Sequence, residues 1–148
     1  MLYIIVAIGI FLLDFFVKRY VDKTYKLGKQ KKGFRNWIVL EKYYNKGAAG
    51  NFLETKPGLL KKIQTFLMAV VGIWFYSSMK KQDSFFQKTG IAFLIGGGFS
   101  NLFDRYTKGY VVDYMKFSFG PKWFRRLIFN ISDFFIFIGA ILTVLGQE

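Results

Sequence analysis

Long apolar stretches alternate with basic, polar segments along this chain. Four such stretches of 15 to 19 residues each hold at most one charged residue. None shows the polar stripe that marks a helix on the surface of a soluble protein. Basic flanks extend each stretch towards the roughly 20 residues that a membrane span needs. The pattern therefore predicts four transmembrane helices, at about 2–18, 61–80, 88–104 and 126–146.

Two larger loops, at about 19–60 and 105–125, join the first helix to the second and the third to the fourth. Each contains alternating apolar and polar residues flanked by glycine, at Lys32–Leu40 and Tyr110–Phe119, which favours short strands. With four spans, both loops lie on one side of the membrane. We therefore expect an all-α membrane protein, one domain over residues 1–148, with a small β-rich region built by these loops.

The first apolar stretch has neither a basic start nor a small-residue cleavage site before the charges begin. This is not the pattern of a cleaved signal peptide, so a retained helix is expected. Gly96, Gly97 and Gly98 in the third stretch lack the Lys-Ser/Thr that follows the glycines of a phosphate-binding loop. They are predicted to form a close helix-packing surface.

The composition limits the partners that the protein could bind and the reactions that it could catalyse. The net charge is +13, and the basic residues border apolar segments, so anionic membrane phospholipids are expected as partners and nucleic acid is not. The sequence contains no Cys and no His. That excludes disulfides, thiol nucleophiles, serine–histidine triads and the usual zinc sites. No metal or cofactor is expected, and any hydrolysis would rely on carboxylates, lysine or hydroxyl groups.

Acidic residues inside the apolar stretches are the candidate functional groups. Asp14 has Lys18 four residues on, which predicts a structural ion pair on one helix face. Asp133 has no basic residue within one turn, and its insertion costs roughly 3 kcal/mol. Asp113, in the loop facing the start of the fourth helix, is its natural partner. Two such carboxylates share a proton and supply both an acid and a base.

Two other chemistries remain open on the residues alone. One is an ion or proton relay through these carboxylates. The other is a Ser-Lys hydrolase that uses Ser100 or Ser132, although no Lys lies within two helical turns of Ser132.

Five ordered motifs resemble those of the bacterial lipoprotein signal peptidase family, also called signal peptidase II. The resemblance covers essentially the whole chain. The motifs are Asp14-Phe15-Phe16-Val17-Lys18, Asn45-Lys46-Gly47-Ala48-Ala49, the run from Gly97 to Arg105, Gly109-Tyr110-Val111-Val112-Asp113-Tyr114, and Phe129-Asn130-Ile131-Ser132-Asp133.

This resemblance implies an intramembrane aspartic endopeptidase of the bacterial cell membrane. The family cuts diacylglyceryl-modified prolipoproteins before the lipidated Cys. Asp113 and Asp133 match its catalytic pair. The residues that match its substrate-binding or supporting positions are Asn45, Gly47, Asn101, Arg105, Asn130, Asp104, Asp14 and Lys18. A monomer is expected. The alternative is a divergent, catalytically altered scaffold or immunity-type protein of the same fold.

Three positions depart from the family pattern. Ser132 replaces the usual Ala, Phe134 replaces a small residue, and Gly50-Asn51 stands where Phe-Ser is usual. A hydroxyl beside the carboxylate pair would retune it, and a bulky Phe would reshape the pocket. These departures bear on substrate preference more than on the reaction class.

Charge and resemblance disagree about orientation. The first large loop and its flanks carry 13 basic residues, the second carries 6, and the short turn between the second and third helices carries 3. The positive-inside rule therefore places both large loops in the cytoplasm. The resemblance implies the opposite, with cytoplasmic termini and the active site near the outer face. We expect the external site, because prolipoproteins present their lipidated Cys at the outer leaflet.

Overall fold

The computed structural model describes residues 1–147, and within them the chain forms four α-helices and one four-stranded sheet. The helices are α1 (Leu2–Thr24), α2 (Pro57–Lys80), α3 (Phe85–Thr107) and α4 (Ile131–Leu145). The strands are β1 (Gln30–Lys32), β2 (Ile38–Asn45), β3 (Val111–Phe117) and β4 (Ile128–Phe129).

The sheet joins the two large loops. Its order is β1-β2-β3-β4 and every pairing is antiparallel. The first loop supplies β1 and β2, and the second supplies β3 and β4. The loops therefore meet at one end of the helices, as the predicted even number of helices requires.

The first predicted strand region divides into two strands. Its centre is a tight turn in which Gly33 donates its N–H to the carbonyl of Ile38 at 2.8 Å. Arg35 and Asn36 take positive φ values of 48° and 59° there. Because such residues cannot continue a strand, the chain reverses between β1 and β2.

Helix α4 begins later than the apolar pattern suggests, at Ile131 rather than near 126. Asn130 is its N-cap, and Asn130 and Asp133 form a capping box. The apolar residues just before the cap form β4 instead, with Met115 of β3 paired to Phe129. The periodicity of apolar residues does not distinguish this short strand from the first turn of a helix.

Helix α1 extends to Thr24, past the last residue of its apolar stretch. Val21 in this extension is buried against Val112 and Tyr114 of β3. The contact explains why the polar end of α1 remains helical, since burial of Val21 stabilises the extra turns. It also fixes the sheet to the helical bundle.

The consecutive glycines of α3 each face a different helix, which confirms the predicted packing surface. A Cβ atom on Gly96 would lie 2.6 Å from the carbonyl oxygen of Ala7 in α1. One on Gly97 would lie 2.7 Å from the carbonyl oxygen of Ser132 in α4. One on Gly98 would overlap the sulfur of Met68 in α2. Helix α3 is thus the central helix, and α1 and α4 approach it at distances that only glycine allows.

The outer faces of the helices are apolar. One helix within residues 1–147, Pro57–Lys80, is long and apolar enough throughout to cross a membrane, and Ile131–Leu145 is a shorter apolar helix. Large apolar side chains are nevertheless exposed on all four helices. They include Ile5, Ile8, Phe16, Phe66, Ile73, Phe86, Phe99, Phe137 and Val144.

Candidate active site

Alternation along β3 separates the packed face of the sheet from the face that carries polar groups. Val112 and Tyr114 turn towards α1 and join the apolar core. Asp113, between them, points to the opposite face and is only 2% exposed. Tyr43 of β2 pairs with Asp113, and Asn45, two residues further along β2, lies on the same face. The register therefore places a carboxylate and an amide side by side.

The second carboxylate is positioned by the first turn of α4. The Asp133 N–H donates to Oδ1 of Asn130 at 3.1 Å, and the Asn130 N–H donates to Oδ2 of Asp133 at 2.9 Å. These reciprocal bonds satisfy two backbone groups at the helix end. They also point the carboxylate of Asp133 back towards β3, at the end of the helix where the dipole favours negative charge.

Each oxygen of the two carboxylates accepts a hydrogen bond. Asp113 Oδ1 accepts from Asn130 Nδ2 at 2.7 Å, and its Oδ2 accepts from Asn45 Nδ2 at 2.8 Å. Asp133 Oδ1 accepts from Asn101 Nδ2 at 3.0 Å, and its Oδ2 accepts from the Asn130 backbone. Asn130 thus bonds to both carboxylates. The two groups sit in a single hydrogen-bonded cluster rather than in separate sites.

The amide orientations in this cluster are set by groups that can only donate. Lys18 Nζ donates to Asn101 Oδ1 at 2.7 Å, so the amide nitrogen of Asn101 must face Asp133. The Gly47 N–H donates to Asn45 Oδ1 at 2.9 Å, which turns the nitrogen of Asn45 towards the other carboxylate. The capping bond does the same for Asn130. Each asparagine is therefore held as a donor to the carboxylates.

The predicted ion pair between Asp14 and Lys18 forms, with Nζ and Oδ2 2.6 Å apart and both side chains buried. Lys18 also lies 3.4 Å from Oδ2 of Asp104. The pair therefore belongs to a buried polar network that reaches the carboxylate cluster through Asn101. Asp14 extends this network to α4, since it accepts from the Ser132 N–H at 3.2 Å. Asp14 and Lys18, the candidate residues on α1, therefore support the carboxylate cluster and do not line the cavity.

Ser100 lies beside Lys18, with 3.3 Å between Oγ and Nζ. Its hydroxyl donates to Asp14 at 2.5 Å, and the residue is only 2% exposed. A nucleophile needs access to substrate, and Ser100 does not line the cavity described below. This contact is therefore structural, and the geometry does not favour the Ser-Lys alternative.

Arg105 connects α3 to the first large loop and to α2. Its Nη2 donates to the carbonyl of Gly47 at 2.6 Å, and its Nη1 donates to Oε1 of Gln64 at 2.9 Å. Its Nε is buried and has no hydrogen-bond partner among residues 1–147. Gly47 is closely packed, because a Cβ there would lie 2.7 Å from the backbone of Asn51. The guanidinium thus holds this loop in place.

A cavity of about 170 Å³ opens between the two carboxylates and the loops. Arg105 and the three asparagines lie on its polar side, and Leu127 and Phe129 on its apolar side. The full set of lining residues is Asn45, Ala48, Gly50, Asn101, Arg105, Val111, Asp113, Leu127, Ile128, Phe129, Asn130 and Asp133. Most of the candidate residues meet here, whereas Asp14, Lys18, Asp104 and Gly47 lie behind the wall.

Burial raises the pKa of Asp113, and the nearby charge of Asp133 raises it further. The amides of Asn45 and Asn130 oppose this by bonding to the charged form. The net effect raises the pKa of Asp113 from 3.8 to about 7. One proton is therefore retained on this carboxylate in the pH range where an isolated Asp is fully ionised.

Within residues 1–147 no three acidic side chains are grouped as a metal site.

The three departures from the family pattern do not add a group to the carboxylates. The Ser132 hydroxyl is buried and has no partner among residues 1–147. Phe134 does not line the cavity, and its ring packs against Phe117 and Phe129. Gly50 lines the cavity with a φ of 66° and leaves space where a larger side chain would stand. Of the three, only the Gly50-Asn51 departure reaches the site.

Sequence reasoning missed Gln64 and Tyr114. Gln64 lies in the apolar stretch of α2 and binds Arg105. The hydroxyl of Tyr114 accepts the Ile131 N–H at 3.2 Å and so links β3 to the start of α4. The amide side chain within an apolar stretch was the available signal for Gln64. Tyr114 ends the motif that begins at Gly109, but that motif gives no role to its hydroxyl.

Comparison with known proteins shows the family to which the chain belongs. The family described as "Signal peptidase (SPase) II" matches residues 6–147. The lipoprotein signal peptidase of Streptococcus pneumoniae is 31% identical over 146 residues, which cover 97% of this chain and 92% of that protein. The lipoprotein signal peptidase of Neisseria meningitidis serogroup C is 32% identical over 146 residues, covering 98% and 88%.

Solved structures share the fold. One described as a bacterial membrane enzyme at 1.9 Å superposes with a TM-score of 0.80 and 25% identity, covering 98% of this chain and 91% of that one. Another, at 2.3 Å, has a TM-score of 0.82 and 24% identity, covering 98% and 86%. The fold is therefore shared with bacterial membrane enzymes. The chain belongs to the signal peptidase II family and is a peptidase.

Proposed function

We propose that this peptidase removes signal peptides from diacylglyceryl-modified prolipoproteins and cuts before the lipidated Cys. Its curated relatives are named lipoprotein signal peptidases. The observation that carries the proposal is the pair of carboxylates, the buried Asp113 and the partly buried Asp133, in one hydrogen-bonded cluster at a cavity. A catalytically altered scaffold of the same fold is not favoured, because a scaffold has no need to maintain this buried cluster.

Asp113 and Asp133 act as the catalytic pair in this proposal. The ionised carboxylate takes a proton from water, and the resulting hydroxide attacks the scissile carbonyl. The protonated carboxylate gives its proton to the carbonyl oxygen, which forms a gem-diol. The carboxyl that took the proton from water then gives it to the amine of the lipidated cysteine as the C–N bond breaks, and a hydroxyl proton of the gem-diol returns to the other carboxylate. The raised pKa of Asp113 supports the retention of the shared proton. The asparagines hold both carboxylates in place and do not themselves exchange protons.

Substrate backbone binds at the polar side of the cavity. Arg105 lines this side of the cavity, where its guanidinium is placed to interact with a peptide carbonyl. The amides of Asn45 and Asn101 flank the same space. The lipid tails are recognised by apolar burial between helices, at roughly 0.8 kcal/mol per buried methylene. Exposed apolar side chains on the helices support this lateral contact.

All four helices span the membrane in this proposal, and the sheet lies at its outer face. The charged groups of α1 and α3 are compatible with spanning, because Asp14, Lys18 and Asp104 are buried and paired with one another. The basic loops would then attract anionic phospholipid headgroups. The protein acts as a monomer, since both carboxylates and all their donors come from one chain.

Turnover of a defined substrate tests the proposal. The detergent-solubilised protein is incubated with a prolipoprotein that carries diacylglycerol on its Cys and, separately, with the same protein lacking the lipid. We expect release of the signal peptide from the lipidated form and severely reduced release from the other. Equal cleavage of both forms would indicate a general intramembrane protease, and no cleavage of either would support the altered scaffold.

A further inference from the structure

A second cavity of about 540 Å³ continues from the carboxylates along the sheet. It shares Asn45, Gly50, Asp113, Leu127 and Ile128 with the first cavity, so the two cavities adjoin. We call this second cavity the outer groove. The residues that line it and not the first cavity are Glu41, Tyr43, Asn51, Lys116, Trp123 and Arg126.

The outer groove lies outside the helical bundle. Its lining comes from β2, from β3 and from the segments that precede α2 and α4, and no residue of the four helices takes part. A substrate crosses the carboxylates with its signal peptide on the membrane side, because that part is apolar. The chain that follows the scissile bond then leaves on the other side, through the outer groove. This step rests on the proposed function.

Charges on the two walls of the groove are unequal. On the sheet wall, Glu41 is paired with Lys116 at 3.2 Å and accepts a hydrogen bond from Gln30 at 2.7 Å. On the opposite wall, Arg126 is exposed and forms no ion pair within residues 1–147. The outer end of the groove therefore has one cation that the protein does not neutralise.

The residues around Arg126 leave its charge available to a substrate. Trp123 is 66% exposed beside Arg126 and provides an apolar surface for an extended peptide. Asp113, the other acidic residue of the groove, is held at the inner end by two asparagine amides. A guanidinium in a polar groove recognises a carboxylate in a two-pronged geometry that an ammonium cannot reproduce.

We propose that the outer groove binds the first residues of the mature lipoprotein and that Arg126 selects an acidic side chain there. The position concerned is the second or third residue after the lipidated Cys. Acidic side chains would speed cleavage, and basic ones would slow it by repulsion from Arg126. Arg126 is thus a specificity-determining residue at a distance from the reacting atoms.

Three lipidated substrates that differ only at these two positions test the proposal, with Asp-Asp, Ser-Ser or Lys-Lys as the second and third residues after the Cys. We expect kcat/KM to be about fivefold higher for Asp-Asp than for Lys-Lys at low ionic strength, and the ratio to shrink with added salt. Arg126→Gln should bring the ratio close to one, and Arg126→Glu should invert it. Lys122→Gln is the matched control, because Lys122 is exposed on the same segment but does not line the groove.

The outcomes separate this proposal from the proposed function. Equal cleavage of the three substrates by the unaltered protein would overturn the groove assignment while the peptidase assignment stands. So would an equal loss of the ratio in Lys122→Gln, which would indicate a general surface field. If Arg126→Gln instead changes activity only with the anionic lipid content of added vesicles, the groove is a headgroup site and the proposal is wrong. If no lipidated substrate is cleaved, the proposed function itself fails.

Discussion

Asn130 Nδ2 lies 2.7 Å from Oδ1 of Asp113, and the same residue is the N-cap of α4. One asparagine therefore bonds to a carboxylate on the sheet and fixes the first turn of the helix that carries the other carboxylate. Asn130 is fully buried, so neither bond competes with bulk water. The distance between the two acids is consequently set by the fold and not by a flexible loop.

Replacing either acid should abolish turnover. Because both carboxylates are needed to hold one shared proton, Asp113→Asn and Asp133→Asn should each reduce kcat by several orders of magnitude, and the double variant should be little slower than either single one. Asn is nearly isosteric, so the variants should remain folded. Cleavage of a lipidated prolipoprotein measures the rates. Near-normal turnover by either single variant would exclude the paired mechanism.

Activity should fall as pH rises through about 7, the raised pKa of Asp113. Above it the shared proton is lost, and kcat/KM should decrease about tenfold per pH unit. The free energy of unfolding should also fall as pH rises. A carboxyl group whose pKa is raised in the folded state contributes stability below its ordinary pKa of 3.8, and this contribution is lost as pH rises through about 7.

Thermal unfolding in detergent between pH 4 and 8 checks the stability claim. The unaltered protein should lose stability across this range, and Asp113→Asn should show a flatter profile because it lacks the titrating group. Parallel profiles for the two proteins would show that Asp113 is not the group responsible.

Lys18→Met should destabilise the fold strongly. The change leaves Asp14 and Asp104 buried without their shared cation, at a cost of about 3–5 kcal/mol. Adding Asp14→Asn should recover part of the loss, because one uncompensated charge is removed. Lys108→Met is the control, since Lys108 pairs with Asp104 at 3.1 Å but is 27% exposed. That pair should contribute less than about 1 kcal/mol to the free energy of unfolding. Equal losses for the two lysines would refute the argument.

Ser132→Ala should leave cleavage unchanged. The Ser132 hydroxyl bonds to neither carboxylate, and its buried oxygen has no partner in the described part of the chain. Removing it should leave the free energy of unfolding unchanged or raise it by up to about 1 kcal/mol. Ser100→Ala is the contrasting variant. Because the Ser100 hydroxyl donates to Asp14 at 2.5 Å, its removal should lower the free energy of unfolding. A clear loss of activity in Ser132→Ala would show that this hydroxyl does tune the acids.

Orientation is testable with single cysteines, because the native chain has none. Lys31 lies on β1 at the sheet end, and Gln82 lies in the turn between α2 and α3. Both are exposed. In intact cells, a membrane-impermeant maleimide should label Lys31→Cys and leave Gln82→Cys unlabelled. The reverse pattern would mean that the charge rule decides the topology and that the active site faces the cytoplasm.

Several features of the site were predictable because they depend on short-range rules. The four-residue spacing of Asp14 and Lys18 predicts their ion pair. An even number of helices brings the two large loops together, and alternation around Asp113 predicts a strand there. These rules act over a few residues or follow from simple connectivity, so one sequence suffices to apply them.

Other features depend on contacts between distant segments, which a single sequence does not record. The amide orientation of Asn101 is set by Lys18, 83 residues away in the chain. The pairing of Arg105 with Gln64 joins two helices and is not marked by any spacing. The apolar pattern predicts that Arg126 flanks a membrane helix. In the structure α4 begins at Ile131, and Arg126 lies on the wall of the outer groove.

The donor-only groups behind the three asparagines have a consequence for inhibition. Since Lys18 and the Gly47 N–H already fix two of these amides, the dipoles around the carboxylates need little rearrangement when a ligand arrives. A rigid compound that places a hydroxyl between Asp113 and Asp133, where the attacking water would lie, meets a preorganised environment. Little of its binding free energy would go into ordering the protein. Resistance to such a compound would then arise more readily at the mouth of the cavity than among the asparagines, whose replacement would disorder the acids themselves.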